Sequence, residues 1–444
     1  MTTRSYLYLA IPLIISTITV PLLGAVDTAV VGQIPNPVYI GGIAVGTVIF
    51  NTMYWLFGFL RVSTSGFAAQ AHGANDSTRM AKSFYQPIIL AFCIGVIFIL
   101  LQKPILYFAQ LFLGVTGDVK QISADYYNIR IWGAPFTLMN YVIVGWLLGM
   151  AKIKWTVFIQ VLMNVLNMIL AYLFVIVFPF QTAGVASATL IAEITAFILG
   201  VVILAKTDQL KGTFSFLSSW SGMLEGTQIK KMFIVNRDLF IRTICLLIVF
   251  NTFTAKGTAY GTEVLAANAI LIQIHYIMAY FYDGLANASS IITGRAVGQK
   301  NNELYAFSVK MSFIWSILFS AVITAVFLLF RTEILSFFTV SEEVLAIGEE
   351  YSLWLALFPI CASFGLVFYG IFTGATEVGY VRNSMIGAVT LFFVVLFPAA
   401  DSWGNHGLWL AFIIFSLARS VLLLLYMPKL AQRFTAFLNK DVKT

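Results

Sequence analysis

The stretch Tyr6–Val31 reads Y-L-Y-L-A-I-P-L-I-I-S-T-I-T-V-P-L-L-G-A-V-D-T-A-V-V, and it decides the class of fold. It contains a single charged side chain, Asp27. About 20 apolar residues are enough for a helix to cross the hydrocarbon layer of a membrane, so this stretch predicts a transmembrane helix. The apolar core of a cleaved signal peptide has only about 7–15 residues, and we therefore expect the stretch to remain as the first span.

The whole chain shares this apolar composition. Of its 444 residues, 60% are hydrophobic and 10% are charged, whereas charged residues make up about 25% of an ordinary soluble domain. This composition excludes a soluble enzyme and a disordered regulator. The cysteines Cys93, Cys245 and Cys361 lie far apart in apolar stretches. They form no C-x-x-C pair, so the sequence predicts neither a disulfide framework nor a cysteine metal site.

Twelve stretches of the sequence are long and apolar enough to cross a membrane. They are 6–34, 39–71, 82–101, 122–148, 154–178, 183–205, 229–255, 262–294, 305–329, 345–373, 379–398 and 407–427. Because only helices and closed barrels satisfy their backbone within lipid, and stretches of this length are helical, we predict an all-α polytopic membrane protein.

Lysine and arginine residues set the predicted orientation of these spans. With the N-terminus in the cytoplasm, 18 of the 26 lie on cytoplasmic loops, tails or inner span ends, and 4 lie on outer loops. The other 4 lie deeper within spans and are Arg61, Arg130, Arg242 and Arg419. The asymmetry follows the positive-inside rule and predicts that both termini are cytoplasmic. No basic run alternates with aromatic residues, so we expect no nucleic-acid partner despite the net charge of +7.

One long polar segment, 207–227, separates the spans into two sets of six. We therefore predict an N-terminal lobe over 1–206, a cytoplasmic linker over 207–227 and a C-terminal lobe over 228–444. Six spans in each lobe give the two lobes the same orientation in the membrane.

Small residues recur at a separation of 225 residues, as at Gly32 and Gly257 and at Ser65 and Ser290. This repeat predicts two pseudo-symmetric bundles of six helices around a central cleft. Such an architecture is typical of transporters that work by alternating access.

The sequence lacks the motifs of ATP hydrolysis and of common hydrolases. It contains no G-x-x-x-x-G-K-[ST], no H-E-x-x-H and no G-x-S-x-G. We expect no enzyme activity, no cofactor and no bound metal. The energy for transport would then come from an ion gradient or from the substrate itself, and ionisable residues within the spans become the candidates for coupling.

Asp27 is the strongest of these candidates. It lies among apolar and small residues in the outer half of the first span, where burial disfavours the charged form, so we expect it to exchange a proton. The alternative is a structural acid bonded to helix backbone. Pro12 and Pro21 lie on the same span, and each removes a backbone hydrogen bond. They predict either a helix that bends when Asp27 changes charge or a pair of fixed kinks.

Polar residues of the fifth and sixth spans provide candidate partners for Asp27. Counting 1.5 Å per residue from the span ends places Asn167 and Thr189 at roughly the depth of Asp27. We predict that Asp27, Asn167 and Thr189 form one hydrogen-bonded cluster, and Asn164 on the fifth span is a further coupling candidate. The alternative is that the asparagines join helices in the membrane without a functional role. Glu193 lies one turn from Thr189 and is a candidate second proton site.

Two further charged pairs are candidates for a gate or for salt bridges. Arg61 and Asp283 reach a similar depth near the cytoplasmic end and could bridge the lobes, or each could pair within its own lobe. Asp238 and Arg242 are spaced i, i+4 on the seventh span and could pair with each other. Snorkelling of Arg61 and Arg242 towards water is the alternative.

Several stretches together resemble the multidrug and toxic compound extrusion (MATE) family, in its branch of DNA-damage-inducible protein F (DinF). They include P-L-L-G-A-V-D-T-A-V-V-G at 21–32, F-L-R-V-S-T-S-G-F-A-A-Q-A-H-G-A at 59–74 and G-A-T-E-V-G-Y-V-R-N-S-M at 374–385. The resemblance implies a twelve-helix exporter that exchanges hydrophobic, often cationic drugs for protons or sodium. It implies protonation at Asp27, with Asn167 and Thr189 beside it and bending at Pro12.

The sequence departs from the family pattern at two acidic positions. Ala171 stands where the fifth-helix motif usually has a second aspartate, and 352–373 in the tenth span contains no Asp or Glu. Both departures favour protons over sodium as the coupling ion.

These observations predict a secondary active multidrug exporter in a prokaryotic inner membrane. We expect a monomer that exchanges amphipathic or cationic organic compounds for protons. Sodium coupling is one alternative. A lipid-linked sugar flippase of related fold is another, but its cationic cleft would need more than the four arginines found deep in the spans. A scaffold or receptor without transport fits poorly with Asp27.

Overall fold

The computed structural model describes residues 2–32, 34, 37–206, 226–339 and 341–440. The predicted linker 207–227 lies outside the described residues, apart from 226 and 227, which begin the next helix. In the part of the chain that is described, every regular element is a helix. The all-α fold class predicted from the sequence is confirmed.

The contacts divide the chain into two compact units, and the first unit is Thr19–Met232. It contains the C-terminal part of helix α1, Thr3–Val31. Its other helices are α2 Pro37–Phe57, α3 Phe59–Gly73, α4 Ser77–Leu100, α5 Gln102–Phe112, α6 Gly117–Arg130, α7 Ala134–Gly149, α8 Ile153–Tyr172 and α9 Gln181–Ala205. Helices α3 and α4 pack on α7, and α8 packs on α9.

The second unit consists of Met1–Ile18 and Phe233–Thr444. It contains most of helix α10, Gly226–Gly257. Its other helices are α11 Thr262–Gln299, α12 Asn302–Leu329, α13 Arg331–Phe338, α14 Glu342–Gly374, α15 Gly379–Trp403, α16 Asn405–Leu425 and α17 Met427–Lys440. Helix α11 packs along α14, and α15 packs along α16. The first 18 residues thus group with the second unit, whereas the sequence analysis placed them in the N-terminal lobe.

The predicted spans correspond closely to the observed helices. In the described part of the chain, 11 segments are long and apolar enough to cross a membrane. The remaining predicted span, 229–255, is formed by α10. Two spans of the first unit are interrupted, which the sequence analysis did not predict. The second breaks at Gly58, and the fourth contains a 3₁₀ turn at Ile131–Gly133.

Close approaches of backbone at glycine hold the first unit together. A Cβ atom added to Gly145 would lie 2.4 Å from the carbonyl oxygen of Arg61. One added to Gly149 would lie 2.4 Å from the carbonyl oxygen of Ser65. Only glycine fits at either position, since small residues let helix backbones approach closely in membranes. The G-W-L-L-G motif therefore fixes α7 against α3.

The second unit repeats this contact between α14 and α11. A Cβ atom on Gly370 would lie 2.0 Å from the carbonyl oxygen of Ala286, and one on Gly374 would lie 2.2 Å from that of Ser290. Each of these four residues follows its counterpart in the first unit by 225 residues. The internal repeat seen in the sequence is therefore a repeat of helix contacts.

The turns of the two units repeat as well. Asn75 and Lys300 both adopt a positive φ, of 56° and 53°, which is uncommon for residues other than glycine. The next residues, Asp76 and Asn301, each cap the following helix by accepting a backbone N–H at 2.9 Å. Lys300 follows Asn75 by 225 residues, and Asn301 follows Asp76 by the same separation.

We predict that Gly370→Ala destabilises the protein, because the added methyl group would overlap the carbonyl of Ala286. Overpacking of this kind costs about 1–3 kcal/mol. Gly348→Ala is the matched control in the same helix, since its Cβ would meet Leu335 at an ordinary 3.6 Å. Thermal unfolding of the two purified variants checks the prediction, and equal unfolding temperatures would contradict it.

Candidate functional site

Asp27 lies on the part of α1 that belongs to the first unit, and its side chain is half-buried. Its Oδ1 atom is buried and has no hydrogen-bond partner among the described residues. Arg130 is the charged side chain that acts on it electrostatically. The structure therefore places a carboxyl group with an unmatched oxygen within the field of a buried cation.

The candidate asparagines of α8 contact two different helices. The Nδ2 atom of Asn164 donates to the hydroxyl oxygen of Thr19 on α1 at 2.8 Å. The Nδ2 atom of Asn167 donates to the hydroxyl oxygen of Thr189 on α9 at 3.4 Å. Both asparagines are buried. The structure thus joins Asn167 to Thr189, and it ties α8 to the helix that carries Asp27 through Asn164. A single cluster that includes Asp27 stays a prediction.

Glu193 and Arg130 form a buried ion pair in the first unit. The guanidinium Nη2 of Arg130 lies 3.7 Å from Oε1 of Glu193, and both side chains are about nine-tenths buried. Glu193 Oε2 has no hydrogen-bond partner among the described residues. The backbone carbonyl of Glu193 accepts from Asn140 at 2.9 Å, which fixes α9 against α7. Glu193 is therefore a second buried carboxylate in the unit that holds Asp27.

Aromatic rings enclose the guanidinium group of Arg130. It lies 4.8 Å from the ring centroid of Phe50 and 5.8 Å from those of Tyr54 and Tyr126. It also donates to the Tyr126 hydroxyl at 2.9 Å. Sequence reasoning counted Arg130 only among the cations deep in spans and gave it no role. A charged residue within a span is a functional candidate by default, and that rule could have identified it.

Pro12 and Pro21 both lie within the continuous helix α1. The boundary between the two units falls between them, after Ile18. Close to this boundary the hydroxyl of Thr17 donates to the carbonyl oxygens of Leu13 and Ile14, at 3.0 Å each. Threonine bonds to the preceding turn of this kind favour bending of a helix.

The other charged candidates lie elsewhere. The carboxylate of Asp238 accepts from Arg237 at 2.9 Å and from Arg382 at 2.8 Å, so the proposed pairing of Asp238 with Arg242 is replaced by these two partners. The guanidinium of Arg242 instead lies 4.2 Å from the ring centroid of Tyr369.

Arg61 and Asp283 are both half-buried and belong to different units, with Arg61 on α3 and Asp283 on α11. Their pairing as a latch stays a prediction.

Among the described residues, no group of three or more His, Cys, Asp and Glu side chains is arranged to hold a metal ion. The free cysteines Cys93, Cys245 and Cys361 are unpaired in the structure. The site therefore consists of two carboxyl groups, one guanidinium, and amide and hydroxyl groups, carried by α1, α6, α8 and α9.

A repeated bundle of membrane-spanning helices with buried carboxyl groups defines a polytopic membrane transporter. The MatE family model matches residues 12–173 and again 239–400, and the chain belongs to that family. The two matched segments coincide with the two repeats found in the helix contacts. The resemblance to the MATE family inferred from sequence motifs is confirmed.

Known relatives cover nearly the whole chain. DNA damage-inducible protein F of Escherichia coli is 33% identical over 93% of this chain and 89% of its own length. Multidrug resistance protein MdtK of Yersinia pseudotuberculosis is 23% identical over 98% of this chain and 97% of its own. A crystal structure of MATE in the bent conformation has a TM-score of 0.83 at 20% identity, covering 99% of this chain and 97% of the other.

We predict that Arg130→Gln and Glu193→Gln each lower stability, because each removes one member of the buried ion pair between these two side chains. Breaking such a pair costs about 3 kcal/mol or more. The double variant should be less destabilised than the two single effects combined, by at least about 1 kcal/mol. Arg79→Gln is the control, since Arg79 pairs with Asp76 at the surface and such pairs contribute about 1 kcal/mol or less. Strict additivity in thermal unfolding would show that Arg130 and Glu193 are not coupled.

Proposed function

We propose that this protein is a proton-coupled exporter of amphipathic, often cationic, organic compounds, with Asp27 as the protonation site. The observation that carries the proposal is the state of Asp27: a half-buried carboxyl group whose Oδ1 atom has no donor among the described residues. Burial without donors favours the neutral form of a carboxyl group. A group of this kind can take up a proton on one side of the membrane and release it when it becomes more exposed to water.

The protonation of Asp27 can be coupled to a change in α1. Asn164 on α8 binds Thr19, which lies on α1 two turns before Asp27. Two prolines also weaken the backbone hydrogen bonding between the ends of α1. A change of charge at Asp27 therefore acts on a helix that bends more readily than an unbroken one. Because α1 passes from one unit to the other after Ile18, a bend there acts on both units.

Arg130 and Glu193 support the same mechanism. When Asp27 is ionised, its charge is attracted to Arg130, and Arg130 is shared between two carboxyl groups. When Asp27 is protonated, Glu193 is the carboxyl group that stays in contact with Arg130. Asp27 is thus the carboxyl group free to change its charge, and Glu193 holds Arg130 in place.

Several features support protons over sodium. Sodium favours several hard oxygen ligands, and Ala171 on α8 supplies none. The described residues hold no cluster of three or more metal-ligating side chains, and α14 contains no acid from 352 to 373. We further propose that the protein works as a monomer in a prokaryotic inner membrane with both termini in the cytoplasm.

We predict that Asp27→Asn folds and inserts normally but loses efflux driven by a pH gradient, because asparagine keeps the shape and cannot titrate. The measurement is export of a fluorescent organic cation from proteoliposomes with an imposed pH gradient. Asp118→Asn is the matched control, since Asp118 is exposed in the first turn of α6. Normal gradient-driven export by Asp27→Asn would exclude Asp27 as the protonation site.

The coupling ion is tested separately. We expect export by the wild-type protein to follow a pH gradient at fixed sodium and to ignore a sodium gradient at fixed pH. Sodium should also leave the unfolding temperature unchanged relative to potassium at equal ionic strength. Export driven by sodium at fixed pH, or stabilisation specific to sodium, would favour the sodium-coupled alternative.

A further inference from the structure

The second unit contains a buried arginine on which no acid among the described residues acts electrostatically. Arg419 on α16 is 8% exposed. Its Nε atom has no hydrogen-bond acceptor among the described residues. The groups that act on it electrostatically are Arg242, Tyr369 and His275, and none of these is a carboxylate. It takes no part in the coupling site of the first unit.

The neighbours of Arg419 add positive charge and hydrogen-bond donors. Arg242 on α10 lies face-on to the ring of Tyr369, 4.2 Å from its centroid. His275 on α11 is 5% exposed, and its Nδ1 atom has no hydrogen-bond partner among the described residues. Four side chains from four different helices thus supply two guanidinium groups, an imidazole and a phenol to one region of the second unit.

Aromatic rings form the apolar part of the same region. The ring of His275 lies 4.2 Å from that of Phe358 and 5.2 Å from that of Phe412, measured between centroids. Next to Arg419, a Cβ atom at Gly365 would come 3.2 Å from its Nε, so glycine at this position keeps side-chain atoms away from the guanidinium. The surroundings therefore combine cations with aromatic surface.

A buried cation without a counter-charge is costly within a membrane protein. Such residues pair with an acid, bind a ligand of opposite charge or line a path for a substrate. In the described part of the second unit, Asp238 pairs with Arg382 and Glu350 pairs with His406, and the groups that act electrostatically on Arg419 include no carboxylate. Guanidinium groups bind carboxylates through two parallel hydrogen bonds, which makes them suited to a planar anionic ligand.

We propose that Arg419, with Arg242, His275 and Tyr369, forms a binding site for a singly charged anionic group of the carboxylate class. The site is separate from the one that contains Asp27, and it gives the transporter a place for the acidic group of a zwitterionic or anionic organic compound. A free inorganic anion such as chloride satisfies the same charges, and the experiment distinguishes the two sources.

The test measures thermal unfolding of the purified full-length protein in nanodiscs of zwitterionic lipid. Ligands that bind only the folded state raise the unfolding temperature in a saturable way. Sodium benzoate and sodium chloride are titrated separately, with sodium methanesulfonate, which carries no carboxylate, maintaining the ionic strength. We expect saturable stabilisation by benzoate. A response to benzoate alone assigns the site to an organic carboxylate, and a response to both anions assigns it to anions in general.

Two variants locate the response. Arg419→Gln should weaken binding by about tenfold or more, which corresponds to the loss of one charge-assisted contact, and Arg419→Lys should keep part of the affinity. Arg242→Gln provides a second variant if Arg419→Gln does not fold, and it too should weaken binding. Arg331→Gln, at the start of α13, removes the same charge elsewhere and should bind normally. The proposal is overturned if neither anion stabilises the wild type saturably, or if the glutamine variants respond as the wild type does. Because the readout is not transport, either result leaves the proposed role of Asp27 unaffected.

Discussion

Backbone contact at glycine is the constraint on which each unit depends. Apolar side chains gain little from packing against one another when the surrounding lipid is equally apolar, so helices in a membrane associate through close packing. The pairs Gly145–Gly149 and Gly370–Gly374 allow this by bringing one helix onto the carbonyl groups of another. The polar residues then occupy fixed positions on helices that cannot move apart without losing these contacts.

The two units place different ionisable groups on one scaffold. The buried ionisable groups of the first unit include Glu193, which pairs with Arg130. Those of the second unit include Arg419, His275 and Asp238. The glycine contacts repeat between the units while these side chains differ, because the glycine positions are fixed by sterics and the ionisable positions are not.

The sequence predicted the spans well because lipid allows few charged residues, and each span appears as a long apolar run. The interruptions at Gly58 and Ile131–Gly133 were not predicted, since glycine and proline also occur in continuous membrane helices. The 225-residue repeat was visible in small residues alone, and the structure extends it to positions such as Ala151 and Thr376, which share a positive φ.

The candidate site was predicted in part. Depth along the spans placed Asn167 and Thr189 at one level, and the structure joins them by a hydrogen bond. Depth along the spans could not identify the partner of Asp238. Arg382 lies 144 residues from Asp238 on another helix, whereas Arg242 is close to Asp238 in the sequence. Counting residues along a span gives the depth of a side chain in the membrane, but it does not show which neighbouring helix supplies the partner of that side chain.

The division of α1 between the units has a consequence for how the molecule can be built. Its first residues complete the unit formed by the C-terminal half of the chain, while its last residues complete the unit formed by the N-terminal half. A polypeptide cut in the segment between the two repeats would leave the C-terminal fragment without one of the segments that pack in its unit. The C-terminal fragment would need the N-terminal one for Met1–Ile18. Joining both repeats in one polypeptide guarantees that this exchanged segment is always present in equal amount with the unit that receives it.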